Sequence, residues 1–355
     1  MKKLAQFLLL VFLLALTITV FFGISLYRFT NSPLPMPNSE PELVFVIPKG
    51  VSTPKIAHLL YGRGIVKHPA WFLWIVKYKK AWGKLKAGEY MIKQGTTPLQ
   101  LIDQFVEARV IQYALTIVEG WNFEQLMATL NAHPKLDHTL MNLSFHQIME
   151  KLGHPNEHPE GRFLPETYFF PAETTDVAFL KRAYHLLEKK LATLWATRSS
   201  TVSLKSPYEA LILASIIEKE SSVKEEYAEI SGVYSRRLVK NMPLQADPCV
   251  IYGLGNEYKG QLTSALLKKP TPYNTYQNTG LPPTPIAMPG IKALEGAVNP
   301  KPGDTLYFVA KKDGKGHIFS KTLVEHNSAV QEYRKGKGQG EGVTPSPTLP
   351  AGEGV

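Results

Sequence analysis

The chain is nearly without cysteine: Cys249 is the single one in 355 residues. No disulfide can form within it, and no cluster of thiolate metal ligands can be built. Its ten histidines are scattered. None falls in an HExxH or comparable ligand spacing, so the sequence gives no support to a metalloenzyme or to any other cofactor. No internal repeat is visible. Acidic residues are in deficit, 30 Asp and Glu against 40 Lys and Arg, for a net charge of +10. A basic surface suits an anionic partner such as nucleic acid, anionic lipid or cell-wall polymer. Nucleic acid has charge alone in its favour, because no recognition motif accompanies it. What the chain does have is apolar substance: 44% of it is hydrophobic. That content, over this length, supports two folded domains rather than one.

The N-terminus carries the clearest local signal. Met1-Lys2-Lys3 precedes an apolar run from Leu4 to Tyr27, interrupted by Gln6, Thr17, Thr19 and Ser25. Roughly 20 apolar residues span a bilayer as a helix, so this run is long enough. Lys2 and Lys3 favour a cytoplasmic start, which would place everything after Arg28 outside the membrane. The rival is a cleaved signal peptide. Its apolar stretch would be shorter and would end in a small-x-small site, of which Gly23-Ile-Ser-Leu-Tyr-Arg28 offers only a poor one.

Asn31–Pro37 is a Pro-rich spacer. Leu43–Ile47 predicts a strand, Thr53-Pro54 a capped helix start, Pro69–Tyr78 a second helix and Lys86–Ile92 a turn into a strand. Thr97-Pro98 opens a further helix. Gln112–Val118 alternates as a strand, Glu119-Gly120-Trp121 is a turn, and a helix runs through Phe123, Leu126 and Leu130. His133–Gly161 reads as loop, Asp176–Ser200 as helix. Ser206-Pro-Tyr-Glu209 has the form of a capping box and opens a run, Ala210–Ile217, that is apolar all round and hence buried. After Arg237 the chain is rich in Gly, Pro, Asn and Tyr until about Pro302. A hairpin is predicted from Leu306–Ala310 and His317–Phe319 around Asp313-Gly314, then a closing helix over 322–333.

Glu218 interrupts the apolar helix. Leu211 and Ala214, seven and four residues earlier, place it on an apolar stripe, and Ser221, Ser222 and Glu225 would extend the same face. A carboxyl where an apolar stripe meets a polar patch is partly desolvated. Desolvation raises its pKa, as a general acid at neutral pH requires. Glu220 lies about 200° away around an ideal helix and should not share the cleft. The bland alternative is that Glu218-Lys219-Glu220 is the solvated end of a buried helix; pattern alone slightly favours it. A second concentration lies in Gln245, Asp247, Tyr252, Asn274 and Tyr276, on loops stiffened by Pro. Tyr rings stack on sugar faces and amides bond hydroxyl and N-acetyl groups, whereas the same residues in a structural loop satisfy their own backbone. Residue types alone leave that choice open.

The stretches Leu213-Ala-Ser-Ile-Ile-Glu-Lys-Glu220, Met242-Pro-Leu-Gln-Ala-Asp-Pro248 after Arg237-Leu238, Val250-Ile-Tyr-Gly253, Tyr273-Asn-Thr-Tyr276 and Gly280-Leu-Pro-Pro283 occur together. With them stand Glu160-Gly161, Phe163–Tyr168, His317, Phe319 and His326-Asn327. In this combination the chain resembles the endolytic murein transglycosylases of the YceG-like family, from the anchor to about Tyr333. The resemblance implies that Glu218, first Glu of the Ile-Glu-Lys-Glu run, is the catalytic acid–base group. It also implies a lytic cut between N-acetylmuramic acid and N-acetylglucosamine that leaves a 1,6-anhydro end and could terminate glycan polymerisation, in the periplasm beside the inner membrane. Gln245, Asp247, Tyr252, Asn274 and Tyr276 become candidates for holding sugars, with peptidoglycan strands, the membrane and peptidoglycan synthases as partners and no nucleic acid. The implied fold class is α+β: an N-terminal transmembrane helix, a small LysM-like α/β module and a larger mixed α+β catalytic domain. Its segments are 1–28 cytoplasmic start and anchor, 29–42 linker, 43–108 LysM-like, 109–334 catalytic and 335–355 disordered tail. Cys249 departs from the Thr usual in the family. The alternative function is a membrane-anchored, non-catalytic peptidoglycan-binding scaffold.

Overall fold

A computed structural model describes residues 2–37 and 41–336. Of the tail expected to be disordered, 335–355, residues 335 and 336 belong to the closing helix, and the remainder lies outside the described residues. The chain divides into two compact units, one of residues 1–114 with 169–173, the other of 115–168 with 174–355.

The first unit opens with α1 (Lys2–Asn31), an apolar helix with no buried residue in its apolar window. β1 (Glu42–Ile47) leads into α2 (Thr53–Gly62) and α3 (Pro69–Tyr78), and β2 (Gly88–Lys93) returns antiparallel to β1 with Phe45 opposite Tyr90. α4 (Pro98–Val106) begins at Thr97, whose side chain and that of Gln100 make a reciprocal capping box. Alternate residues of β1, Phe45 and Ile47, meet Ile56, Leu60, Phe72, Ile75, Tyr90 and Phe105 in the core. One expected cap is displaced. Ser52, not Thr53, is the N-cap of α2 and makes no side-chain cap bond. The Thr53 hydroxyl instead accepts from the Gly83 N–H at 3.1 Å, tying the helix to a distant turn.

The chain passes into the second unit within β3 (Tyr113–Thr116) and continues through α5 (Phe123–Ala132), β4 (Leu136–Asp137), α6 (Phe145–Leu152), β5 (Thr167–Phe170), whose last two residues are grouped with the first unit, and β6 (Thr174–Thr175). β3 pairs with β5, and β4 runs parallel to β6. The 21-residue α7 (Asp176–Ala196) follows, then α8 (Pro207–Glu220), α9 (Tyr227–Val239), α10 (Asp247–Leu254), α11 (Ser264–Leu267) and α12 (Ile291–Val298). The antiparallel hairpin β7 (Tyr307–Ala310) and β8 (His317–Ser320) and the helix α13 (Leu323–Gly336) complete it. The architecture is thus mixed helix and strand, with strands only in two-membered sheets among the described residues.

α6, α10, α11 and α12 lie where loop was expected. For α6 the signal was present: Ser144 and Gln147 form a capping box, and Gly153 closes the helix at φ +97°. α10 and α12 are eight residues each, too short to show a period.

α8 is the buried axis of the unit. Every residue from Ala210 to Ile217 is at most 4% exposed, and α12 packs along it with Ala293, Leu294, Ala297 and Val298. Its N-terminus is capped by half of the expected box. The Ser206 hydroxyl accepts from the Glu209 N–H at 3.2 Å, but the Glu209 carboxylate reaches past Ser206 to accept from the Lys205 N–H at 2.6 Å. Its C-terminus corrects a second expectation. Ser221 is extended, φ −142° and ψ 142°, so Ser221, Ser222 and Glu225 do not continue the face of Glu218.

Candidate active site

Glu218 occupies the last turn of α8, half-buried, at the wall of a cleft of about 500 Å³. Val118, Glu119 and Gly120 line the cleft from the turn before α5, and Ser221, Ser222, Lys224 and Tyr227 from the segment after α8. Two remote pieces of chain are bolted to this helix end. Met288 exchanges backbone bonds with the turn, its carbonyl accepting from the Gly120 N–H at 2.9 Å and its N–H donating to the Trp121 carbonyl at 2.7 Å. One turn before Glu218, the buried Ser215 hydroxyl donates to the Ile212 carbonyl and accepts from the Ile286 N–H at 3.0 Å. Residues 286–290 are therefore fixed on α8, and Gly290 arrives beside the carboxyl.

The two Glu218 oxygens are held separately. Oε2 accepts from the Gly290 N–H at 2.9 Å. Oε1 accepts from the Tyr227 hydroxyl at 3.2 Å, whose single proton also has the Ser221 carbonyl within reach at 3.1 Å. A carboxyl oxygen has two lone pairs, so each retains one for a proton or a substrate group. Burial pushes the Glu218 pKa up, Gly290 opposes it, Glu119 adds to the rise, and Tyr227 and Lys224 oppose it. Desolvation is the largest of these effects, so the group is biased toward its protonated form while two donors stand ready for its charged one.

Glu119 also lines the cleft. Lys224 Nζ donates to its Oε2 at 2.5 Å, and both side chains are partly exposed, 35% and 44%. Lys219 closes the rim by donating to the Gly120 carbonyl at 3.2 Å. Glu119→Gln removes a like charge near Glu218 and releases Lys224 from its partner. Both changes lower the Glu218 pKa. The alkaline limb of kcat against pH should move to lower pH, with the acid side little altered; an unmoved limb would mean Glu119 does not bias Glu218.

Glu220 also borders the cleft, contrary to expectation, but its carboxyl turns the other way. Its carboxyl is enclosed in the protein, where it accepts from the Tyr234 hydroxyl at 2.5 Å, near Asp247 and Arg237. Burial pushes its pKa from 4.5 up to about 8. Glu160, buried at the start of α5, accepts from the Phe123 N–H at 3.0 Å and rises to about 7, chiefly by desolvation. Between pH 4.5 and these values the folded chain keeps protons that the unfolded chain has released. The contribution of these two groups to stability is then fullest below about pH 4.5 and is lost as pH rises through 7 to 8. Glu220→Gln has no proton to lose and should flatten this fall in Tm from pH 5 to 8. It should also retain most activity; a loss equal to that of a Glu218 variant would make Glu220 a positioning group.

The other expected site residues do not line the cleft at Glu218. Tyr276 donates to Asp247 Oδ1 at 2.6 Å, on the Glu220 side of α8. Gln245, half-buried at φ +54°, accepts at Oε1 from the Arg237 guanidinium at 3.2 Å. Tyr252 donates to Glu160 at 3.1 Å and packs edge-on to Tyr273 at 4.9 Å. Asn274 is fully buried, its amide donating to the Leu267 and Lys269 carbonyls and its oxygen accepting from the Tyr276 N–H. It holds the loop together and presents no amide to solvent. Cys249 is buried and free of any disulfide, and burial pushes its thiol well up.

Sequence reasoning did not single out Glu119, Lys224, Tyr227 or Gly290 as site residues. Only the glycine in Met288-Pro-Gly290 carried a signal, and its reason is steric. A Cβ there would lie 2.0 Å from Glu119 Oε1.

The chain matches the YceG-like family over residues 45–332. It is 33% identical, over 82% of its length and 85% of the relative, to an endolytic murein transglycosylase of Bacillus subtilis. It is 28% identical to the endolytic murein transglycosylase of Streptococcus pneumoniae, over 92% of this chain but 65% of that longer protein. A crystal structure of a YceG-like protein from Listeria monocytogenes superposes with a TM-score of 0.52 at 30% identity, covering 82% of this chain and 99% of that one. A match across most of the chain, with a relative of this identity and coverage, is decisive: the protein belongs to the YceG-like family.

Proposed function

We propose that this chain is a membrane-anchored endolytic transglycosylase of peptidoglycan, with Glu218 as both acid and base. The observation that carries the reading is a half-buried carboxyl in an open cleft, biased toward protonation and held by two donors. Protonated Glu218 donates to the oxygen linking N-acetylmuramic acid to N-acetylglucosamine, and the C1–O bond breaks. The resulting carboxylate is met by the Gly290 N–H and the Tyr227 hydroxyl, whose proton shifts from the Ser221 carbonyl toward it. The carboxylate then takes the proton of the muramoyl C6 hydroxyl as that oxygen bonds to C1. The products are a free N-acetylglucosamine hydroxyl and a 1,6-anhydro end, with no water consumed. An internal nucleophile has a large effective concentration, which is how one carboxylate can serve where most glycosidases need two.

Among the described residues lining the cleft, Glu119 is the better candidate for a second catalytic carboxylate, because Glu220 turns its carboxyl to Tyr234. Its carboxylate is occupied by the ion pair with Lys224, so we assign it an electrostatic role. Mass spectrometry of sacculi treated with the protein separates the readings. Anhydro-muramoyl ends support the lytic cut, ordinary reducing ends would indicate hydrolysis through a second carboxylate, and an unchanged profile would indicate a binding scaffold.

The similarity to proteins named endolytic supports internal cleavage, and release of nascent strands would follow as a terminating role beside peptidoglycan synthases. α1, with Lys2 and Lys3 at its start, supports a single-pass anchor in the inner membrane with the remainder in the periplasm. The β1–α2–α3–β2 order with an antiparallel strand pair supports a LysM-like module at 43–108 ahead of a catalytic domain at 109–334. Of the loop residues, half-exposed Gln245 and Tyr252 are the candidates for touching sugar. Asp247, Asn274 and Tyr276 we assign to shaping the loops.

A further inference from the structure

The first unit carries an aromatic and basic face that the cleft does not use. Trp74 and Tyr78, one turn apart on α3, stack with planes 2° apart and are 53% and 78% exposed. Trp82 follows at 50%. Between Glu42 and Glu89 the sequence holds no acidic residue, while Lys49, Lys55, Arg63, Lys67, Lys77, Lys79, Lys80, Lys84 and Lys86 all fall there. Lys79 is paired with Asp103; Lys67, Lys77, Lys80 and Lys84 are exposed.

This face is continuous with α1. Phe22 meets Trp71 at 6.2 Å and Trp74 at 6.5 Å between ring centres, and Phe29 meets Trp71 at 5.3 Å. Where α1 ends, Arg28, Phe29, Leu34, Lys67 and His68 line a hollow of about 370 Å³. Depth follows from helix geometry. From Leu4 to Phe22 the helix rises about 27 Å at ~1.5 Å per residue, against a hydrocarbon core of about 30 Å. If α1 spans, Phe22 sits at the outer boundary of the core, and the rings touching it sit at headgroup level. Trp and Tyr partition to that level, and anionic headgroups attract clustered Lys and Arg.

We propose that α3 and the adjoining basic residues dock the first unit flat on anionic lipid headgroups, with phospholipid phosphate entering the hollow at Arg28 and Lys67. The proposal rests on the reading of α1 as a membrane anchor. Docking would fix the height of the unit above the bilayer instead of leaving it to swing on its anchor.

The test uses the full chain with Tyr78→Cys, nitroxide-labelled and reconstituted in phosphatidylcholine vesicles with or without phosphatidylglycerol. Cys249 is buried and escapes the label. With phosphatidylglycerol the label should be reached by oxygen and shielded from a water-soluble nickel complex. Lys67→Glu with Lys77→Glu should cut the docked-to-free ratio about tenfold or more, as should raised salt. A label equally open to nickel in both vesicles, on protein that resists alkaline extraction, would overturn the docking while leaving the anchor intact. Release of the protein by alkaline extraction would overturn the anchor and the docking together. Shielding that appears only when soluble glycan strands are added would make this a sugar-binding face and overturn the lipid assignment.

Discussion

Glu218→Gln should abolish release of anhydro-muramoyl products, by about 10³-fold or more, while the protein stays folded. General acid–base catalysis by one group contributes typically 10²–10⁴-fold. Here the same carboxyl serves in both steps, so its loss acts twice. Gln preserves the local contacts. Its carbonyl oxygen can accept from the Gly290 N–H as Oε2 does, and its amide can donate to the Tyr227 oxygen in place of the bond Tyr227 now donates. Burial already disfavours the charged form of Glu218, so a neutral side chain of the same shape should leave Tm unchanged or raise it at pH 7 and above. Activity and stability thus move independently. Muropeptide mass spectrometry and a thermal melt on the same preparation check both. Residual anhydro product at more than a few per cent of the native rate would place the acid elsewhere.

Gly290→Ala should be the next most damaging change, costing on the order of 10–100-fold in kcat. The backbone itself allows alanine, since Gly290 has φ −73° and ψ 169°. The obstacle is the neighbour: the new methyl would lie 2.0 Å from Glu119 Oε1 and 2.5 Å from its Cδ. One response is for Glu119 to swing outward and abandon Lys224, which removes a like charge from Glu218. The other is for residues 286–290 to shift, which withdraws the N–H from Glu218 Oε2. The loop is anchored by Ser215 and by the Met288 bonds to the 120–121 turn, so its shift distorts the wall of the cleft as well. Either response disturbs the carboxyl, the second more severely. Combining Gly290→Ala with Glu119→Ala removes the obstructing atoms. The double variant should then recover activity toward that of Glu119→Ala alone, a strongly non-additive pair. Full activity in Gly290→Ala would show that the Gly290 N–H is dispensable.

The stability and pH predictions share one cause with these. Glu218, Glu220 and Glu160 are all raised chiefly by burial, but their surroundings differ. Glu218 opens on a cleft, Glu220 faces Tyr234 inside the protein, and Glu160 caps the start of α5. A raised carboxyl does chemistry only where substrate can reach it, which is why Glu220, though pushed up to about 8, is the weaker catalytic candidate.

Much of this was present in local sequence. The apolar run of α1 is a matter of composition. The Ser206-Pro207 start and the all-round apolar run of α8 set a buried helix, and the 3.6-residue period then separates Glu218 from Glu220 by direction. The same locality explains the failures. Ser144 and Gln147 held a cap signal for α6 within a stretch read as loop. The face drawn from Glu218 through Ser221 to Glu225 assumed that the helix continues, but it stops at Glu220, where Ser221 turns extended and frees its carbonyl for the Tyr227 hydroxyl.

Tertiary structure alone decided what surrounds the carboxyl. Glu119 and Gly290 stand far from Glu218 in the chain, and no local periodicity encodes their meeting. They are brought there by backbone bonds between Met288 and the 120–121 turn and by the buried Ser215 hydroxyl, interactions whose partners are specified only when the whole unit packs. The same packing consumed Asn274 in its own loop, where residue type had left sugar binding open. The sequence by itself thus determined that Glu218 stands at the end of a buried helix and points away from Glu220, since both follow from pattern, and left open whether it is solvated there. Only the folded chain determined which groups hold it and bias its proton, since desolvation and charge act through space.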